Sequence, residues 1–468
     1  MSLDHGILTG TRPGHVAAPP TWLVVQAGPA ELTDYRRLRR EVFVREQGLF
    51  DVSDHDDVDD DARTVVLVAR TQDGTVLGGV RVHPAPHPAT ADRDLGWWRG
   101  SRLVVAPSAR QGAGVGAALV RAACALAESV GALRFDATVQ ERHASLFTRL
   151  GWRSRGQVDL LGHPHVEVDW PIERTRRLVA ATKSPLGSLL AGLAGPDGFR
   201  GDDGAPVPGS DLVAACDAII PSMVERDPEW AGWCAALVNL NDLTAMGASP
   251  VGLLDAVAAR NASFARRIVS GLREAVQAWD VPVLGGHTQL GVPAALSVTA
   301  LGRTTRPVPG GGASVGQSVR ITADLGGGWR PGYTGAQWDS SSHRTGEELR
   351  ALGGTVATLS PSAAKDVSMS GLVGTTGMLA EASGVRAVLD VAQVPTPDDA
   401  SVGDWFTCFP GFAMVTTDHP TASPGDLPGF VTSQVCGDIT AGSGVGLRWP
   451  DGVVTEAVDG HVTGMGAT

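Results

Sequence analysis

At 468 residues the chain is too long for one ordinary hydrophobic core, so we expect two or three domains, for which an apolar content of 43% is ample. The net charge of −12 excludes a general nucleic-acid or anionic-membrane binder, because phosphate contacts need clustered Lys and Arg, and it suits a cationic or small neutral substrate. The five cysteines are scattered without CxxC pairs, and the sequence shows neither a membrane-length apolar run nor a signal peptide, which predicts a cytoplasmic protein without a zinc site.

The first predicted elements are a strand at Trp22 to Gln26 and an amphipathic helix at Asp34 to Gln47. An acidic segment with seven aspartates, DVSDHDDVDDD, follows at residues 51–61. It lacks the central glycine and the terminal glutamate of an EF-hand calcium loop. A block of like charges is typical of a solvated loop. The alternative is a rim that attracts an amine substrate, with His55 titrating among the acids.

A hairpin is predicted next, with strands at Thr64 to Arg70 and Thr75 to His83 joined through Asp73 and Gly74. A variable loop containing proline and histidine follows it. The segment after this loop has the most closely spaced candidate binding residues in the first half of the chain.

This segment is a glycine-rich loop. It lies between a predicted buried strand, Leu103 to Val105, and a predicted helix that ends at Gly131. The first backbone N–H groups of a helix have no internal partner, the helix dipole adds positive charge there, and glycine lets an anion approach. The pattern predicts a phosphate cradle, and the alternative is a simple turn. The residues expected to bind the cofactor are Val104, Val105, Gln111, Gly112, Ala113, Gly114, Val115, Gly116, Ala117 and, further along, Phe147.

Two signatures relate residues 1–172 to a known family. Gln111, Gly114 and Gly116 match the Q/R-x-x-G-x-G/A pyrophosphate loop of the GNAT acetyltransferases, and ASLFTRLG at 144–151 resembles their second signature. The resemblance implies a mixed sheet flanked by helices, acetyl-CoA as acyl donor and an amine as acceptor. The Val42-Phe43 motif in VFVREQG, at the end of the first helix, is also similar to acyl-homoserine-lactone synthases, which share this fold and are the rival interpretation.

The catalytic groups of this half are left open by the sequence. Where many GNAT enzymes have a tyrosine that protonates the departing thiolate, this chain has Phe147, which has no proton to give. Glu141 and His143 lie close by in sequence and are the candidates, although a histidine at a helix start is commonly a cap or a surface residue.

A weakly patterned stretch, 173–200, is expected to be a linker. It contains Lys183, and Lys365 is the one other lysine of the chain; apart from histidine, all remaining basic residues are arginine. The two lysines mark positions that need a flexible ammonium, or they survive by chance.

Four separated polar elements mark the second half: GDD at 201–203, Cys216 with Asp217, NLND at 239–242, and GGHT at 285–288. Carboxylates at strand ends and helix starts are how chains gather Mg²⁺ around nucleotide phosphates. The alternatives are turn residues, a helix cap and a bulge. The expected metal ligands are Asp202, Asp203, Asp217 and Asp242, and the expected nucleotide-binding residues are Gly285, Gly286 and Thr288.

In this order the elements resemble the aminoimidazole ribonucleotide (AIR) synthetase superfamily, which includes thiamine-monophosphate kinase and selenophosphate synthetase. The resemblance implies a two-lobed α+β domain with lobes at 201–306 and 307–468, use of ATP and Mg²⁺, and a homodimer. Lys365 in KDVS is the catalytic candidate here. The family's D-V-S-D-G stands as D-V-S-M-S from Asp366, so a carboxylate is missing, and His287 replaces the aspartate of thiamine-monophosphate kinase.

The sequence therefore predicts a bifunctional enzyme, an acetyl-CoA-dependent N-acetyltransferase fused to an ATP- and Mg²⁺-dependent enzyme for a small metabolite. The alternative is an acetyltransferase whose second half is a non-catalytic, nucleotide-binding dimerisation scaffold. Neither substrate is identified by the residues.

Overall fold

Two separately packed units make up the chain in the computed structural model, which describes residues 21–466 apart from 91–92, 111–113, 194 and 197. The first unit holds residues 1–172 with 401–403, and the second holds 173–400 with 404–468. Within these described ranges, no helix combines the length and the apolar character that crossing a membrane would require.

A seven-stranded mixed sheet in the order β1-β2-β3-β4-β5-β7-β6 forms the centre of the first unit. Only β4 and β5 run parallel, and every other neighbouring pair is antiparallel. The strands are β1 (Trp22–Gln26), β2 (Val65–Thr71), β3 (Val76–Pro84), β4 (Trp97–Val105), β5 (Arg134–Gln140), β6 (Arg153–Leu160) and β7 (His163–Trp170).

Helices cover both faces of this sheet: α1 (Pro29–Arg39), which continues as a π-helical turn at Arg40–Glu46, α2 (Val115–Ser129) and α3 (Ala144–Arg149). Alternate residues of β2 divide between two apolar clusters. Val66 and Val68 pack with α1, whereas Leu67 and Ala69 pack with α2. Since successive side chains of a strand point to opposite faces, the two helices lie on opposite sides of the sheet.

The parallel pair β4 and β5 separates part-way along its length. Residues Trp97–Gly100 pair with Arg134–Ala137, and pairing stops there. On its other side β4 carries a bulge, because Arg102 and Leu103 both stand opposite Val80, and Arg102 has a positive φ of 51°. Bulges of this kind re-aim backbone and side chains and are common beside active sites.

The first lobe of the second unit is a five-stranded sheet in the order β11-β10-β12-β9-β8 under a helical layer. Its strands are β8 (Ala205–Pro206), β9 (Leu212–Ile219), β10 (Ser249–Ala259), β11 (Val283–Leu290) and β12 (Ala295–Arg303). Its helices, with two that precede the sheet, are α4 (Arg174–Thr182), α5 (Leu186–Leu189), α6 (Pro221–Arg226), α7 (Pro228–Ala245) and α8 (Ala262–Trp279). Helix α7 is buried on nearly all sides, which fits its apolar sequence.

The second lobe is built on a seven-stranded sheet in the order β16-β18-β13-β19-β17-β20-β21, beside the two-stranded pair β14-β15. The strands are β13 (Ser318–Ala323), β14 (Gly328–Trp329), β15 (Trp338–Asp339), β16 (Ala363–Asp366), β17 (Arg386–Asp390), β18 (Ala413–Asp418), β19 (Thr432–Thr440), β20 (Val445–Arg448) and β21 (Val454–Val458). The helices are α9 (Gly346–Leu352), α10 (Thr355–Leu359), α11 (Gly371–Ala382) and α12 (Val402–Thr407).

The stretch 173–200, expected as a linker, is grouped with the second unit and begins with helix α4. Val179 of this helix is buried and faces Gly374 of α11, where an added Cβ would lie 3.3 Å from its side chain. Arg176 forms an ion pair of 2.7 Å with Asp459. This part of the stretch is therefore packed structure and not a free connection.

Candidate active sites

A pocket of about 900 Å³ opens in the first unit where β4 and β5 separate. Leu103 to Val105 line one side and Thr138 to Gln140 line the other, with Gly114 to Ala117 at the first turn of α2. A deep, mostly apolar cleft with a few polar groups is the usual form of a cofactor site.

The first turn of α2 is suited to an anion. Gly114 is its N-cap, has a φ of +64° and donates no side-chain cap, and a Cβ built on it would meet nothing within 4 Å. Among the described residues, Gly114 therefore provides no side-chain cap for the N–H groups of the first turn, which suits them to an external anion. Gln111, Gly112 and Ala113 lie outside the described residues, so the structure does not place that part of the loop.

The acidic segment forms an ion-pair network with buried arginines. Arg39 bonds Asp54 and Asp59, both at 2.6 Å. Arg81 bonds Asp56 at 2.5 Å and Asp59 at 2.9 Å. Although burial opposes ionisation, the hydrogen bonds of Arg39 and the charges of both arginines hold the pKa of Asp59 well below its usual range. For these three aspartates the expectation of a solvated loop is wrong, because the arginines that neutralise them come from α1 and β3.

In the pocket wall, His83 and Ser101 form a hydrogen-bonded pair. The imidazole Nδ1 of His83 lies 2.7 Å from the carbonyl oxygen of Pro84, and its Nε2 lies 2.9 Å from Ser101 Oγ. Arg81 Nε donates to the same Ser101 oxygen at 2.9 Å. Burial, with the charges of Arg81 and Arg99, lowers the pKa of His83 to about 4, so the ring is neutral at pH 7.

The second unit contains a compact group of three carboxylates. Oxygens of Asp203, Asp242 and Asp366 all lie within 4.8 Å of one another. They come from the loop before β8, from α7 and from the end of β16. Burial and the repulsion of neighbouring carboxylates raise the pKa of Asp242 and that of Asp366 well above the ordinary value. A hard divalent cation such as Mg²⁺ prefers oxygen ligands of this kind and would relieve the repulsion.

Lys365 stands beside this group, almost completely buried. Its Nζ lies 2.9 Å from both Asp202 and Asp203. Burial favours its neutral form, but the two carboxylates outweigh burial and raise the pKa of Lys365, so the ammonium stays charged. Asp202 also accepts the backbone N–H of Gly310 at 2.6 Å, so its carboxylate is engaged by the lysine and by the backbone at Gly310 and lies outside the three-carboxylate group.

The other lysine lies in the same neighbourhood. The charged neighbours of Asp217 on β9 are Lys183 and Asp203, and Lys183 also acts on Asp366. Both lysines of the chain therefore lie beside acidic residues of the second unit. This is where a flexible ammonium differs most from a guanidinium, since it acts as a compact point charge.

Comparisons with known proteins assign both units. The acetyltransferase (GNAT) family model matches residues 31–152, and the model of the N-terminal domain of AIR synthase related proteins matches residues 201–304. An uncharacterized protein of Synechocystis sp., sll0787, is 32% identical over 228 residues, which span 47% of this chain and 70% of that protein.

The chain carries a GNAT acetyltransferase domain and an AIR synthase-related domain.

Two further similarities concern the AIR synthase-related domain. Thiamine-monophosphate kinase of Synechococcus elongatus is 36% identical over 139 residues, which span 27% of this chain and 42% of that enzyme. The structure of T. maritima PurL complexed with ATP superposes with a TM-score of 0.51 at 15% identity, covering 64% of this chain and 53% of that chain. At that identity the similarity supports the fold alone, an AIR-synthase-like α+β architecture.

The candidate residues Glu141, His143 and Phe147 of the GNAT domain differ in whether they line the pocket. His143 and Phe147 line it, but Glu141 does not, and its carboxylate accepts a 3.0 Å hydrogen bond from Gln157. His143 is exposed, whereas Phe147 is buried and meets Trp152 edge-to-face at 5.4 Å between ring centroids. Phe147 is thus both core and pocket wall, and Glu141 is on the outer surface.

In the AIR synthase-related domain, Gly285, Gly286 and Thr288 lie on β11, the edge strand of the first lobe, and every residue of that strand is exposed. Gly286 has a steric reason to be glycine, because a Cβ there would lie 2.5 Å from Asp255 Oδ2. Their expected role in nucleotide binding stays a prediction.

The sequence alone missed Asp366, His83 and Ser101. Asp366 follows Lys365 directly and is the one aspartate of the family's D-V-S-D-G pattern that this chain keeps, which is the signal that could have identified it. For His83 and Ser101 no local pattern exists, because the pair forms only when β3 and β4 come into register.

Proposed function

We propose that the GNAT domain transfers the acetyl group of acetyl-CoA to the nitrogen of a small amine. The observation that carries the proposal is the pocket between the separated strands, which ends on the uncapped first turn of α2. The pyrophosphate would bind Gly114 to Ala117, and the thioester would lie along Val104 and Val105. The backbone of the β4 bulge would polarise its carbonyl.

A direct test is release of free thiol from acetyl-CoA by the full chain, in the presence of a panel of amino acids, polyamines, amino sugars and arylamines. Thiol release that depends on one acceptor class, with the acetylated amine found by mass spectrometry, is the expected result. Failure of calorimetry to detect acetyl-CoA binding would refute the proposal irrespective of the acceptor.

We further propose that the AIR synthase-related domain is a second enzyme, which activates a small metabolite by phosphoryl transfer from ATP. Asp203, Asp242 and Asp366 would hold Mg²⁺, which supplies charge neutralisation at the transferred phosphate, while the ammonium of Lys365, 2.9 Å from Asp203, holds that carboxylate in place. The similarity to thiamine-monophosphate kinase supports the use of ATP. The rival is a nucleotide-binding scaffold without turnover.

The two alternatives are separated by titrating Mg·ATP into the full chain and then assaying ADP formation with a metabolite library. Asp242→Asn removes one charge without changing side-chain volume and should abolish metal-dependent ATP binding. The matched control is Asp211→Asn, which changes an exposed carboxylate paired with Arg303. Equal ATP affinity with EDTA and with Mg²⁺ would remove the metal site, and metal-dependent binding without ADP formation would favour the scaffold.

The proposal also includes a homodimer and a cytoplasmic location. Strand β11 is an edge with apolar side chains in solvent, including Leu284 and Leu290, each 53% exposed, and a second copy is the occupant we propose for it. A cytoplasmic location is proposed because the cysteines, all of them described, are unpaired thiols.

A further inference from the structure

The hydrogen bonds of the His83–Ser101 pair have a fixed direction. A carbonyl oxygen can only accept, so the 2.7 Å contact between His83 Nδ1 and Pro84 O requires the proton on Nδ1. In the neutral ring Nε2 then carries a lone pair and no proton. The 2.9 Å contact between Nε2 and Ser101 Oγ must therefore be donated by the serine hydroxyl.

The same accounting leaves one position on Ser101 open. A serine hydroxyl has one donor and two acceptor sites. The donor goes to His83, and Arg81 Nε fills one acceptor site at 2.9 Å. All three residues line the pocket, but Ser101 is partly exposed whereas His83 and Arg81 are only 3% and 1% exposed, so Ser101 carries the accessible oxygen. A ligand in the pocket can bond this oxygen only through a donor, and an amine N–H is such a donor.

We propose that Ser101 binds the N–H of the acceptor amine and relays its proton to His83 during acetyl transfer, an inference that rests on the acetyltransferase function proposed above. The amine nitrogen bonds to the thioester carbon and the C–S bond breaks. The amine proton passes to Ser101 Oγ as the serine's own proton passes to His83 Nε2. The proton returns by the same route to the departing CoA thiolate, so no further reactant is needed.

The acidic segment gives this pair its rigidity. Arg81 is held by both oxygens of Asp56, at 2.5 and 3.0 Å, and by Asp59 at 2.9 Å, which fixes the guanidinium that positions Ser101. The charged groups acting on His83 are Arg81, Arg99, Asp56 and, from the same segment, Asp61. The ring faces cations and anions together, and burial keeps it neutral, so that Nε2 retains its lone pair.

The experiment uses the full chain with acetyl-CoA and hydroxylamine, a small amine that is largely uncharged at pH 7 and gives a coloured hydroxamate–iron complex. We expect Ser101→Ala to lower kcat by about a hundredfold or more, the usual effect of losing acid–base assistance, with the affinity for acetyl-CoA unchanged by calorimetry. Ser101→Thr, which keeps the hydroxyl, should retain most of the rate. The matched control is Ser154→Ala, an exposed serine of β6 outside the pocket lining.

His83 needs a readout that a purely structural role would not change. In ¹⁵N-histidine NMR spectra the His83 ring should show a protonated Nδ1 and a bare Nε2, and Ser101→Ala should shift the Nε2 signal. Full hydroxamate formation by Ser101→Ala with normal acetyl-CoA binding would overturn the relay, as would a protonated Nε2. Absence of acetyl-CoA binding in the unmodified chain would instead count against the acetyltransferase proposal itself.

Discussion

Two buried carboxylates should determine how the stability of the second unit depends on pH. Asp242 and Asp366 have a raised pKa in the folded state, so the unfolded chain releases its protons at lower pH than the folded chain does. The free energy of unfolding of the metal-free protein should therefore fall as the pH rises above about 4. A divalent cation competes with those protons and reverses the trend.

From this follows a thermal-shift prediction. Mg²⁺ should raise the melting temperature of the second unit more at pH 8 than at pH 6, because fewer protons remain to be displaced. Asp242→Asn should raise the metal-free melting temperature at pH 8, since it removes a repelling charge, and should abolish the Mg²⁺ effect. Scanning calorimetry with Mg²⁺ and with EDTA at both pH values measures this, and a pH-independent Mg²⁺ shift would contradict it.

His83 produces the opposite pH dependence in the first unit. Its folded pKa of about 4 lies below the ordinary 6.5, so the unfolded chain takes up a proton first as the pH falls through that window. Its contribution should cost roughly 2 kcal/mol of stability between pH 7 and pH 5. Urea unfolding at both pH values should show a smaller loss for His83→Asn than for the unmodified chain. An identical loss in the two proteins would show that His83 does not titrate as described.

At the scale of elements, two glycines at the junction between the glycine loop and α2 differ in what they require. One needs glycine for its backbone conformation, and the other does not. Gly114 is left-handed with free space around its Cβ position, while Gly116 lies within the helix and a Cβ there would make an ordinary 3.6 Å contact with Val105. A side chain at Gly114 therefore costs backbone strain as well as access, and valine would confound the two.

We expect Gly114→Asn to remain folded, because asparagine tolerates the left-handed region, and to bind acetyl-CoA at least tenfold more weakly, on the order of 2 kcal/mol if two charge-assisted hydrogen bonds are lost. Gly116→Ala is the partner variant that should leave thermal stability equal or higher. Calorimetry with CoA decides the matter, and unchanged affinity in a folded Gly114→Asn would make the loop a simple turn.

Periodicity predicted elements better than it predicted their partners. The strand at Trp22 to Gln26 has the predicted bounds, and the strand predicted at Thr64 to Arg70 lies one residue further along, at Val65–Thr71. By contrast β4 begins at Trp97, before the apolar run that marked it, because its first half is held by pairing with β5. The arginine partners of the acidic segment and the meeting of Asp203, Asp242 and Asp366 depend on contacts between distant segments, which no local pattern contains.

On the scale of the whole molecule, each unit has its own apolar core, so their chemistries should be separable. Asp242→Asn should leave hydroxamate formation by the GNAT domain within about twofold of the unmodified rate, while Ser101→Ala should leave Mg·ATP affinity unchanged. Both measurements use the full chain. Loss of both activities in either variant would mean that the two units depend on each other.

The proposed homodimer can be tested by a change on β11. If β11 is a subunit interface, Leu290→Glu should convert a dimer into a monomer in light scattering, because the introduced charge would be buried without a partner. Leu189→Glu changes a leucine on α5 that is 70% exposed and should have no effect. A dimer that persists in Leu290→Glu would move the interface elsewhere.

The near-absence of lysine gives the chain an experimental handle. A lysine-directed reagent has two side-chain targets, and Lys365 is closed to it because the ammonium is buried and held protonated by two carboxylates. Lys183, half-buried and electrostatically coupled to Asp217 and Asp366, is left. A fluorophore or isotopic tag on Lys183 would thus report on the carboxylates of the second unit. Its signal would not overlap with signals from other lysines, which in most proteins are numerous on the surface.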